Sequence, residues 1–113
     1  PMLKSFHPTH LEHAKEYQKR IWLEIDAHFD IFDHDSFQSI RVYLRGDNTP
    51  EQRGPDLYTC QIRVHGKQTG VVFVKHTDTD PLKAAHLAIE RIQKVLLKEK
   101  KKKQDYSKYR RAS

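Results

Sequence analysis

The chain has 113 residues, a formal net charge of +6 and a single cysteine, Cys60. That length builds one domain around one modest core. No apolar run approaches the roughly 20 residues needed to cross a bilayer, and the lone cysteine excludes an internal disulfide and an all-cysteine metal site. In chain order, Met2-Leu3-Lys4-Ser5-Phe6-His7 reads as a short, weakly patterned first strand closed by Pro8. Thr9-His10-Leu11-Glu12 fits a capping box that opens a helix running to about Phe29. Leu11, Ala14, Tyr17 or Gln18, Ile21, Ile25 and Phe29 fall on one stripe at steps of three and four, widened by Trp22. Lys15, Lys19 and Arg20 lie off that stripe, among Glu12, Glu16, Glu24 and Asp26.

Asp33-His34-Asp35-Ser36 is a polar break, and a strand follows from near Gln38. Ile40, Val42 and Leu44 alternate with Arg41, Tyr43 and Arg45; Tyr58, Cys60, Ile62 and Val64 alternate with Thr59, Gln61, Arg63 and His65. Side chains alternate across a strand, so each strand packs one face on a core and wets the other. The wet face carries Arg41, Arg45, Arg63 and His65 and no acid. Residues 46–56 form a long exposed loop rich in Pro, Gly and charge. Gly66 to Gly70 is a tight hairpin leading into a strand through Val71-Val72-Phe73-Val74-Lys75. Asp80 caps the last helix, with Pro81 in its first position. Leu82, Ala85, Ile89, Ile92 and Leu96 form that helix's apolar stripe, with Ala88 and Val95 beside it. Lys83, Arg91, Lys94 and Lys98 occupy its flanks, and the helical pattern continues through Lys103.

The expected fold is α+β, in the order β-α-β-β-β-α. A four-stranded sheet, built antiparallel, carries two helices on one face, as in a double-stranded-RNA-binding domain. Both helices and the middle strands have one apolar face each, and those faces can bury one another. Residues 1–98 form the domain, and residues 99–113 a basic C-terminal tail. Residues 98–111 hold eight Lys and Arg against two acids, which is the whole of the +6 excess. Such a terminus suits a polyanion, nucleic acid before a membrane surface.

Other chemistry finds little support. His10 and His13 lie three apart, but no spacing of zinc ligands appears, and no metal is expected. Asp33 with Asp35, and Asp78 with Asp80, suit turns and caps better than acid–base work. No base is paired with Cys60, Ser5 or Ser39, and no glycine loop cradles a phosphate. Tyr43 points outward with the arginines and is the candidate base-stacking ring; Tyr58 shares the parity of the core.

Ser39-Ile40-Arg41-Val42-Tyr43-Leu44, Tyr58-Thr59-Cys60-Gln61-Ile62-Arg63-Val64 and Gly70-Val71-Val72-Phe73-Val74 occur in that order. They are followed by Thr77-Asp78-Thr79-Asp80-Pro81-Leu82-Lys83-Ala84-Ala85 and Ala88-Ile89-Glu90-Arg91. Together, over nearly the whole chain, they resemble the ribosome hibernation-promoting factor family in its short form, which includes the ribosome-associated inhibitor. Nothing in the sequence points to secretion, so a cytoplasmic location is expected, and the resemblance implies a stress-linked translation inhibitor. It would dock in the decoding region of the small ribosomal subunit and reversibly keep messenger and transfer RNA out. It implies no enzyme activity, cofactor, small-molecule substrate, membrane partner or dedicated dimerisation domain. Basic side chains of both helices would hold ribosomal RNA phosphates. Carried over by position, these are Lys15, Lys19 and Arg20 on the first helix and Lys83, Arg91, Lys94 and Lys98 on the second, with Lys101 in the lysine run.

Two rivals stand beside this. Without a first strand the order becomes α-β-β-β-α, that of a double-stranded-RNA-binding module. That module grips phosphates with lysines at the start of its last helix, where this chain has Asp78 and Asp80. The other rival is a protein-interaction domain with an incidental basic tail.

Overall fold

The computed structural model describes residues 2–47 and 56–111, without the side chains of His34 and of 103–111. The expected loop at 46–56 lies mostly outside the described residues. The order is β1 (Leu3–Thr9), α1 (Ala14–Phe29), a 3₁₀ turn (His34–Ser36), β2 (Phe37–Gly46), β3 (Tyr58–Gly66), β4 (Gly70–Asp78) and α2 (Pro81–Arg111). The four strands form one sheet in the order β1-β2-β3-β4.

Alternation in β2 and β3 delivers the core. Ile40, Val42, Leu44, Cys60, Ile62 and Val64 are all fully buried. They share one cluster with Ile21, Ile25 and Phe29 of α1 and with Ala84, Ala85, Ala88, Ile89, Ile92 and Leu96 of α2. One sheet face and both helices therefore close a single core, as the patterning predicts. Phe29, Phe32 and Phe37 pack with ring centroids 5.6–5.7 Å apart and seal its end beyond α1. Alanines at 84, 85 and 88 leave only a methyl group between helix backbone and core.

Three expectations at the N-terminal end need correction. The sheet is mixed, because β1 runs parallel to β2, from Leu3 opposite Ser39 to Thr9 opposite Arg45. A helix returns the chain between these two strands, and such a crossover makes neighbours parallel. Pro8 does not close the first strand but sits inside it, opposite Leu44. An edge strand tolerates proline, since a missing N–H on its open side removes no ladder bond.

The third correction concerns the capping box. Thr9 is held in the extended ladder against Arg45, so it cannot cap a helix. The chain turns instead through left-handed His10 (φ 49°) and His13 (φ 58°), and α1 begins at Ala14 without a side-chain cap. The amides of Glu16 and Tyr17 donate to the His13 carbonyl at 3.1 and 3.3 Å. Gly46 lets the turn approach β2, for a Cβ there would stand 2.5 Å from the His10 carbonyl oxygen.

The start of α2 follows its sequence signals. The Asp80 carboxylate accepts a hydrogen bond from the Leu82 amide at 2.9 Å, and the Asp78 carboxylate accepts one from the Asp80 amide at 3.0 Å. Asp80→Ala should destabilise the protein by about 1 kcal/mol. For a chain of this size that lowers Tm by roughly 4–8 °C. Thermal unfolding followed by circular dichroism measures it, and Asp80→Asn, which keeps the cap, should lose much less. From Pro81 the helix runs without a break past residues 98 and 103 to Arg111.

Candidate nucleic-acid interface

All the basic residues picked from the sequence are solvent-exposed: Lys15, Lys19, Arg20, Lys83, Arg91, Lys94, Lys98 and Lys101. They do not form one group. At 3.6 residues per turn, the five on α2 fall within an arc of about 80° on the side away from its buried stripe. The same wheel splits α1, with Lys15 and Lys19 on one flank and Arg20 on the other.

The neighbours of those flanks explain the split. On the Lys15–Lys19 flank, Asp26 pairs with Lys4 of β1 at 3.0 Å, and Lys4 lies 5.8 Å from the Trp22 ring centroid. That flank faces the β1 edge. The Arg20 flank carries Glu24, which faces α2 and pairs there with His86. Between the α1 and α2 cations therefore runs a seam of acid and histidine.

Sequence reasoning missed that seam. The two His86 ring nitrogens face carboxylates: when protonated, Nδ1–H donates to Glu24 and Nε2–H donates to Glu90 Oε1 at 2.7 Å. His28 stands edge-on to His86, and its Nδ1–H donates to the Glu24 carbonyl at 2.9 Å. A ring that donates from both nitrogens is an imidazolium. Its hydrogen bond to Glu24 does most to raise the His86 pKa above 6.5, helped by the charges of Glu24 and Glu90 and opposed by partial burial. The pairing of His86 with Glu90, one turn on, was visible in the sequence. The Glu24 partner, on another helix, was not.

A pKa raised on folding stabilises the protein fully below about pH 6.5, and that contribution is lost as pH rises through the folded value. The ring is partly exposed, so the effect is modest. His86→Gln should flatten the dependence of Tm on pH between mildly acidic and alkaline buffer. An unchanged pH profile would show that the clasp contributes nothing.

The outer face of the sheet is the second cationic surface. Arg41, Arg45, Arg63 and His65 are exposed on it, as the alternation predicts. Tyr43 also lies there, half-buried and stacked on His7 with centroids 4.7 Å apart and 17° between planes. Tyr58, of the opposite parity, packs beside Gly46.

The single cysteine is not arranged for covalent chemistry. Burial pushes the Cys60 thiol up to about 12, so it stays protonated and unreactive inside the core. Among the described residues no group of three His, Cys, Asp or Glu side chains could hold a metal ion. No described helix is long and apolar enough to cross a membrane.

Solved structures share this architecture. The Thermus thermophilus Protein Y N-terminal domain matches with a TM-score of 0.57 at 15% identity, covering 82% of this chain and 91% of that one. A ribosomal subunit interface protein from Coxiella burnetii matches with a TM-score of 0.55 at 12% identity, covering 85% of this chain and 97% of that one. At such identities the likeness speaks for the fold. No curated protein sequence matches the chain. The family model described as Sigma 54 modulation protein / S30EA ribosomal protein matches residues 5–104, nearly the full length. The resemblance to hibernation-promoting factors is thereby borne out, and the chain belongs to the Sigma 54 modulation protein / S30EA ribosomal protein family.

Proposed function

We propose that the protein is a cytoplasmic hibernation factor that occupies the decoding region of the small ribosomal subunit and reversibly excludes messenger and transfer RNA. The observation that carries this is the α2 stripe of Lys83, Arg91, Lys94, Lys98 and Lys101. Lys83, Arg91 and Lys94 stand where the opposite face of α2 is fixed in the core, which reaches Leu96, and Lys98 and Lys101 continue the same helix beyond it. A rigid row of cations registers on phosphates whose positions a folded RNA also fixes, and reads shape without reading sequence. Lys15 and Lys19 offer a second, weaker set of contacts, because Asp26 shares their flank. Inhibition is then exclusion from a site and needs no bond-breaking step, metal or nucleotide.

In this reading the body of residues 1–98 docks and the basic segment 99–113 adds distributed charge. The presence of β1 separates the chain from an α-β-β-β-α duplex binder. So does the start of α2, where Asp78 and Asp80 are committed to capping.

Sedimentation of the full chain with isolated small subunits, large subunits and free duplex RNA tests the proposal. The protein should pellet with small subunits and be released by added salt. Equal retention by duplex RNA, or binding that salt leaves untouched, would overturn it.

A further inference from the structure

The open face of the sheet has a structure of its own. The strand register places its side chains in rows. Ser5, Arg41, Arg63 and Phe73 form one row, and His7, Tyr43, Gln61 and Lys75 form the next. No outward strand position on this face carries an Asp or Glu. Asp47, just beyond β2, is engaged: it pairs with Arg45 at 2.9 Å and accepts from the Thr59 hydroxyl at 3.4 Å. Arg41, Arg63 and Lys75 have no ion-pair partner among the described residues.

Two features of this surface point to a ligand. Arg41 and Arg63 lie directly opposite each other on neighbouring strands. Like charges so placed oppose pairing, and here no acid relieves them. An anion between them would. Beside Arg63, Phe73 leaves 60% of its surface in water. Tyr43 and His7 present a second flat aromatic pair one row along. From strand spacing and rise, Tyr43 and Phe73 are about 12 Å apart, with the arginine pair next to both. Aromatic rings set among cations on a sheet face without outward acids suit a chain of alternating bases and phosphates. An acidic protein would use the arginines, but it has no general use for two separated flat rings.

We propose that this face binds single-stranded RNA, with Phe73 and the Tyr43–His7 stack holding bases and Arg41, Arg63 and Lys75 holding phosphates. The choice of RNA rests on the ribosomal reading above. The surface is distinct from the α2 stripe, which lies on the helical side of the molecule.

Fluorescence anisotropy of the full chain with a labelled uridine decamer tests this. Phe73→Ala should weaken binding about tenfold, since one stacked base contributes a factor of roughly 5 to 150. Phe73→Trp should retain affinity. Inorganic polyphosphate, which has charge but no bases, should bind the parent and Phe73→Ala alike. The arginine variants Arg41→Ala and Arg63→Ala should each flatten the salt dependence of decamer binding. Undiminished decamer binding by Phe73→Ala would overturn the proposal, as would an equal loss towards polyphosphate. Polyglutamate that displaces the decamer from the parent but not from Phe73→Ala would make the face a protein-docking surface and overturn it too. Cosedimentation with subunits reports on the helices separately. Its failure beside Phe73-dependent decamer binding would remove the docking proposal and leave this one standing.

Discussion

Replacing Arg91, Lys94 and Lys98 together with alanine is expected to lower affinity for the small subunit by about 100-fold or more near 0.1 M salt. Each phosphate contact adds roughly 0.7–0.9 to the slope of log affinity against log salt, so three lost contacts remove about two log units there. If the parent engages about six phosphates, its affinity falls by about 10³ between 50 and 200 mM salt, and the variant should show about half that slope. The fold should survive. All three side chains are exposed, and surface substitutions away from caps usually cost within about 0.5 kcal/mol. The matching change of Lys15 and Lys19 to alanine should cost less, because Asp26 stands on the same flank as those two lysines. Circular dichroism checks folding, and sedimentation over a salt series reads affinity. A folded triple variant that binds and inhibits like the parent would place the ribosomal face elsewhere than α2.

That expectation uses a helix which the sequence displayed almost completely. Ile89, Ile92 and Leu96 at steps of three and four announced its buried stripe, and Asp80-Pro81 announced its start. Local signals of this kind act within one or two turns, so one stretch of chain contains all of them. The same holds for β2 and β3, where alternation alone named seven inward residues, of which six are fully buried and Tyr58 is half-buried. The N-terminal region was read less well because its competing signals are non-local. Thr9 and Glu12 do make a capping box on paper. The ladder from Thr9 to Arg45, thirty-six residues on, removes Thr9 from that role. The parallel sense of β1 depends on where α1 returns the chain, which no local pattern encodes. For the site, exposure of the cations was legible, but their grouping was not. Grouping depends on which flank of α1 meets α2, and the Glu24–His86 pair that reveals it joins residues sixty-two apart.

Ile62→Ala should destabilise the protein by about 2–5 kcal/mol, the range for removing a large aliphatic side chain from a packed interior. Ile62 is fully buried at the centre of the sheet, directly opposite Val42 on one side and Val74 on the other. It belongs to the cluster closed by α2. Its neighbours across the sheet are β-branched and held in the ladder, so the cavity cannot readily collapse. Domains of this size are stable by about 5–15 kcal/mol, so the change takes away a large part of the total. Tm should fall by roughly 8–40 °C. The next residue provides the control. Arg63 is one step along the same strand, so its side chain stands on the opposite face, in water and facing Arg41. Arg63→Ala removes a like-charge pair and little packing, so its Tm should equal or slightly exceed that of the parent. The two variants therefore separate the dry face of β3 from the wet one by thermal unfolding alone. Equal losses at 62 and 63 would mean that both faces are packed, and an unaltered Tm for Ile62→Ala would mean that the central core is not.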